Sequence, residues 1–191
     1  MEAHETQELI EQAEEAKEKS RNWTALNISI LAMVLAINNV GGGNASKEAT
    51  RHNIEASNFY AFYQAKSIKQ HNLKIAVDQI DEHLANKSPV SGLLEARKDK
   101  YEKEIARYES DEASGEGKKQ LLEKAKDHEA ERDHALKQDP WFDYAEGILQ
   151  IGIVLLSISI LASMPVLTIV GAGLGLLGTA AMLNGFFLFI G

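Results

Sequence analysis

Glu131 and His134 stand three residues apart, the Glu-x-x-His spacing by which one helix offers a carboxylate and an imidazole to a bridged metal pair. Such a site needs a matching set from another helix. No second Glu-x-x-His occurs around His4, His52, His71, His83, His128 or His134. His128 and His134 lie about 240° apart around a helix, so they do not converge. No metal site and no cofactor are expected. The chain has no cysteine, which excludes disulfides, thiolate metal sites and cysteine nucleophiles. Nucleophile triads, zinc spacings and phosphate-cradling loops are also absent. No catalytic residue is expected, and the chain is not expected to be an enzyme. Gly171-x-Gly173-x-Gly175 sits in an uncharged apolar run, where a nucleotide loop has no place.

Polar residues inside apolar runs are the next candidates. Asn27 and Asn38 are eleven residues apart, which returns nearly to the same helix face. An asparagine in lipid is costly unless it is hydrogen-bonded. The functional reading is a polar path or an ion-lining face, and the plainer one is hydrogen bonding between helices. Gln150 and Asn184 would complete such a network. Glu146, just inside an apolar run, reads as an interfacial carboxylate more readily than as a proton carrier.

Two further patterns carry weight. Gly171, Gly175, Gly178 and Gly185 share one helix face, with Gly173 off it, a spacing that lets helix backbones approach closely. Ala25, Ser29, Ala32 and Ala36 make a similar small-residue stripe. Phe59, Phe62, Tyr63 and Lys66 share another helix face, an aromatic-basic patch that suits a ligand, a headgroup or a neighbouring helix. Packing against a returning helix is the default expectation, because the patch lies roughly 25 Å along the helix from the nearest apolar run.

The elements that must position these residues follow from the hydropathy pattern. Residues 148–191 contain no charged side chain, and Pro165 divides them near the middle. About 20 apolar residues cross a bilayer core as a helix, so two crossings are expected, at 143–163 and 166–190. A third uncharged run, 23–40, begins at Trp23, a residue favoured at membrane interfaces. It follows an acidic, helix-forming tail at 1–22, which reads as the approach to a retained anchor and not as a secretory signal. Three successive glycines, Gly41–Gly43, suggest a hinge at 41–44. The mean hydropathy of −0.23 averages apolar ends against a charged middle.

That middle, 45–139, reads as a helical hairpin. Leu73, Val77, Ile80 and Leu84 form a seam of coiled-coil type. A turn is expected at 88–92 around Pro89 and Gly92, and a break at 110–117. Asp139-Pro140-Trp141 is expected to close the returning arm. The arms match at roughly 65 and 70 Å if helical. By counting from Val90, Gly117 should lie opposite Tyr63, with Gly115 and Gly117 facing the bulky aromatics. An exposed loop that touches nothing is the alternative. The expected fold is all-α: an integral membrane protein with three transmembrane helices and a long extramembrane antiparallel, coiled-coil-like hairpin.

The chain resembles the bacterial membrane-protein family catalogued as domain of unknown function four-three-three-seven. The likeness lies in Asn38-Asn39 closing the first apolar run, the string Tyr63-Gln64-Ala65-Lys66-Ser67-Ile68-Lys69, and the paired C-terminal runs. It implies a bacterial inner-membrane location and supplies no activity. The net charge is −8, with lysines and arginines interleaved among acids. No basic face is present to bind nucleic acid or anionic lipid. The expected partners are the lipid bilayer, further copies of the chain, and a protein partner on the hairpin. The expected function is a homo-oligomeric scaffold or assembly protein. The alternative is a small ion channel or transporter component lined by transmembrane asparagines. Lysine and arginine near the runs favour a cytoplasmic hairpin, although Lys17, Lys19 and Arg21 on the tail pull the other way.

Overall fold

The computed structural model describes residues 2–85 and 91–190. They form four helices: α1 Glu2–Ala85, α2 Ser91–Glu109, α3 Lys118–Ala162 and α4 Pro165–Phe187. No strand occurs among the described residues, so the fold is all-α. Stretches within α1, α3 and α4 are long and apolar enough to cross a membrane. Ser88, Pro89 and Val90 of the expected turn lie outside the described residues, and Ser91 and Gly92 already belong to α2. The chain divides into two compact units, Met1–Lys47 with His134–Gly191, and Glu48–Asp133.

In the first unit, parts of α1 and α3 pack with α4, and bulk on one helix meets missing bulk on another. A Cβ on Gly175 would stand 2.5 Å from Leu31 Cδ1, and one on Gly178 2.7 Å from Leu149 Cγ. A Cβ on Gly171 would stand 2.9 Å from both the Gly152 carbonyl oxygen and Leu156 Cγ. Phe142 fills the space that Gly41, Gly42 and Gly185 leave open. Leu31, Leu149 and Leu156 make one buried cluster; Ala45, Phe142, Ala145 and Met182 make another. The outer surface is apolar, with Leu161, Ile169 and Leu176 exposed.

Three local expectations are corrected here. Gly41–Gly43 do not interrupt α1, which is helical throughout; two of these glycines admit the Phe142 ring instead of making a hinge. Pro140 does not end a segment either, since α3 continues through it. Its ring removes one backbone hydrogen bond, and Phe142, two residues on, is buried. The last apolar helix stops at Phe187, short of residue 190. Leu188 turns left-handed (φ 48°) and the Asn184 side chain captures the backbone of Ile190. The small-residue stripe of Ala25, Ser29, Ala32 and Ala36 lies on the exposed face of α1.

The break between α3 and α4 falls at Ser163 and Met164. Pro165 opens α4, where its missing N–H costs nothing. Ser159 Oγ donates to the Met164 carbonyl (3.1 Å) and meets the Thr168 hydroxyl, which ties the two helix ends together.

In the second unit, α1 runs antiparallel to α2 and the start of α3. Asp81 pairs with Lys98, Gln70 with Ile105 and Glu109, and His52 with His128. Ala56, Ile80, Leu121 and Ala125 are buried between the helices. The expected break is a built loop between Glu109 and Lys118. Gly115 adopts φ +66°, and a Cβ on Gly117 would fall on the backbone of Ser110 and Asp111. Both glycines thus serve the loop's own closure, and neither faces the aromatics. Nor does the loop hang free: Gln120 accepts from Asp111 N–H (3.2 Å) and donates to Ser110 Oγ (2.9 Å), while Lys124 donates to the Gly115 carbonyl.

Candidate functional site

The polar interior of the second unit is its most organised chemistry. Gln70 is 4 % exposed and donates to the Ile105 carbonyl and to Glu109 Oε2, both at 3.0 Å. Lys118 Nζ closes the group by donating to Gln70 Oε1 (3.0 Å) and Glu109 Oε2 (3.3 Å). Each buried polar atom has a partner, which is the condition for such a network to stabilise. The hydrogen bond from Gln70, then that from Lys118, holds the Glu109 carboxyl below its ordinary value. A depressed carboxylate contributes stability above its unfolded-state pKa, near ~4.3, and that contribution is lost as pH falls through the lower folded value. Acid titration of the helical signal should therefore show a loss that Glu109→Gln flattens at its acid end. Gln70→Ala should cost about 1–3 kcal/mol by leaving Lys118 and Glu109 poorly satisfied, a loss that chemical denaturation would measure.

One turn-set further along, His52 Nδ1 and His128 Nδ1 lie 2.8 Å apart, so one ring donates and the other accepts. Phe59 stacks on His128 with centroids 5.5 Å apart, and Glu48 Oε2 stands 3.3 Å from His52 Nε2. Tyr60 donates to Glu129 Oε2 (3.0 Å), which raises its phenol above the ordinary value. Among the described residues, no three His, Cys, Asp or Glu side chains are grouped to hold a metal ion. Glu131 and His134 take part in no such grouping.

The aromatic-basic patch does not converge on one ligand space. Tyr63 carries the Lys118 ammonium 5.3 Å from its ring centroid, and Lys124 stands 5.8 Å from that of Phe59. Lys66 pairs with Glu116 Oε2 (3.2 Å) and stands 5.9 Å from the Tyr108 ring. Three of the four side chains thus meet α2, α3 or the loop between them. Phe62 alone points outward, 60 % exposed. Extending the Leu73–Leu84 seam backwards in steps of three and four passes through Gln70, Lys66, Tyr63, Phe59, Ala56 and His52. That extension was the signal for the His52–His128 and Gln70 contacts, which reading residue types alone had missed.

The polar residues of the first unit disperse as well. Asn38 is 1 % exposed and donates from Nδ2 to the Phe142 carbonyl (2.9 Å), while its Oδ1 has no partner. Asn184 bonds to Ile190 at the end of α4. Gln150 donates to Glu146 one turn away, on the surface of α3 (2.9 Å). Asn27 is half-buried on α1 and joins none of these contacts. Gly171, Gly175, Gly178 and Gly185 are all buried against side chains or backbone of this same chain. The glycine stripe is therefore filled without a second copy. Beside the Pro165 turn, a cleft of about 570 Å³ is lined by Arg21, Lys17, Glu14, Glu18 and the hydroxyls of Thr24 and Ser159. It places the N-terminal end of the α1 apolar run level with the α3–α4 turn.

A family model described as "Domain of unknown function (DUF4337)" matches residues 20–188, nearly the whole chain. No curated protein and no solved structure matches.

Proposed function

The chain belongs to the DUF4337 family, and from that premise we propose that it is a membrane-embedded, homo-oligomeric scaffold or assembly protein without catalytic activity. The observation that carries this reading is the division of labour between the two units. The first has a side-chain-filled interior and an apolar exterior, as an anchor requires. Asn38 bridges α1 and α3, while Asn184 closes its own helix end and Gln150 pairs with Glu146 on the surface of α3. The second is a charged helical hairpin that leaves Ile54, Phe62 and Ile68 in solvent, side chains suited to contact with other proteins. In this reading residues 23–40, 143–163 and the α4 segment cross a bacterial cytoplasmic membrane. The chain leaves the first unit at Lys47 and returns at His134, carrying the hairpin on the cytoplasmic side.

Native mass spectrometry of the full chain in mild detergent tests the assembly, with oligomers expected; a strictly monomeric species overturns it. Orientation is read by labelling single cysteines, since the chain has none of its own. Ser91→Cys should react from the cytoplasmic face and Ser20→Cys from the opposite one. The rival, a small channel, draws support from the unpartnered Asn38 Oδ1. Ion flux in liposomes that disappears on Asn38→Leu would favour the channel, whereas silent liposomes favour the scaffold.

A further inference from the structure

Within the second unit, α1 carries a heptad seam on its solvent face. Ile54, Ala61, Ile68 and Ile75 repeat every seven residues, and the three isoleucines are 54 %, 63 % and 42 % exposed. Asn58, Ala65 and Asn72 fall between them, also exposed, so the spacing alternates four and three. This is the d–a alternation of a coiled coil, and it lies opposite the inward seam of Ala56, Gln70 and Ile80. No charged residue occupies a core position of this outer seam from Ile54 to Ile75. Carried further toward the N-terminus, the same count meets Arg51, Lys47 and Asn44, so the uncharged seam begins at Ile54.

We propose that this outer seam is where two copies of the chain associate, parallel and in register. The proposal rests on the self-association argued above and supplies its surface. Parallel register sets Asn58 against Asn58 and Asn72 against Asn72. An amide carries both donor and acceptor, so each pair satisfies itself, and asparagine at a positions is a known selector of register and of two strands. An unrelated apolar helix would leave those amides unpaired, which is costly once water is excluded. Flanking charges agree with this pairing: Gln64 meets Lys69 and His71 meets Ala76 of the other copy, so no like charges oppose. Phe62 then covers Ser57 across the seam, which accounts for the one outward aromatic of the patch. The three isoleucines and Phe62, at their present exposure, would remove roughly 900 Å² from water across two copies, and neighbouring atoms bring this to the ~1,000 Å² that a specific interface needs.

Oxidative cross-linking of single-cysteine variants of the full chain, in lipid nanodiscs, tests the proposal. Asn58→Cys and Asn72→Cys should form covalent dimers at least about tenfold faster than Lys74→Cys, which is exposed but off the seam. Ile68→Glu should shift the native mass to monomer with its helical signal unchanged, because Ile68 lies exposed on its own chain. Equal cross-linking at all three positions, in a wild-type chain that remains oligomeric, overturns the seam and leaves the scaffold reading standing. A wild-type chain that is monomeric throughout overturns both.

Discussion

Gly171→Ala is expected to destabilise the packing of α3 on α4 by about 1–3 kcal/mol, the usual cost of overpacking a well-fitted interior. The added carbon would stand 2.9 Å from the Gly152 carbonyl oxygen, and a Cβ on Gly152 would stand 3.0 Å from the Gly171 carbonyl oxygen. Backbone atoms obstruct both substitutions, so no rotamer change relieves them; the helices must separate. Gly171→Leu should cost more than the alanine variant. Gly173→Ala is the control, because nothing lies within 4 Å of its Cβ position. It should be neutral or stabilising by up to about 1 kcal/mol, the helix-propensity gain of alanine over glycine. Denaturant unfolding in mixed micelles, followed by the helical signal, checks the pair. Equal behaviour of Gly171→Ala and Gly173→Ala would show that the helices do not touch at this level.

Asn38→Asp is expected to be the most damaging single change near the junction of α1 with α3. The Asn38 side chain is sealed from solvent and offers one N–H to the Phe142 carbonyl oxygen at 2.9 Å. An ionised carboxylate there would place charge against that oxygen with no cation beside it, a loss of about 3–5 kcal/mol for an uncompensated buried charge. The sign of the pH effect follows from the donor. A protonated carboxyl again gives an O–H to Phe142, so the loss should shrink as pH falls and grow as pH rises. Asn38→Leu removes the unpartnered Oδ1 together with the donor. The Phe142 carbonyl lies within α3, where a backbone N–H also serves it. Asn38→Leu should therefore cost less than the aspartate variant, about 1–3 kcal/mol, the range for a larger side chain placed in a sealed site. Thermal unfolding of the three proteins across pH 4–9 separates these outcomes. An aspartate variant as stable as wild type at neutral pH would mean that water reaches Asn38, which would strengthen the channel reading.

Much of this molecule was legible along the chain. The uncharged run at 148–191 and its Pro165 mark the end of α3 and the start of α4, because a proline at the first helical position fits while one within a helix loses a bond. Ser110–Gly117 contains the residues that turns require, and it is where α2 and α3 part. Counting residues from Val90 placed Gly117 opposite Tyr63, and Lys118 does lie over the Tyr63 ring. The glycines at 41–43 misled for a physical reason. Intrinsic propensity disfavours helix there by about 1 kcal/mol per glycine, but a bulky ring on α3 and another on α4 need the room those glycines leave. Tertiary contact overrides local preference at such a point.

The sequence by itself determined the all-α class, the breaks at 110–117 and before Pro165, and how the hairpin is registered. These depend on neighbours three, four or seven residues apart, and their periodicity survives without knowledge of any partner. Only the tertiary structure decided what each polar side chain meets. His52 reaches His128 across 76 residues of chain, Asn38 donates to the Phe142 carbonyl, and Asn184 caps its own helix end. Each depends on the rotation of one packed helix against another, set by many side chains at once, and no local count along the chain contains it.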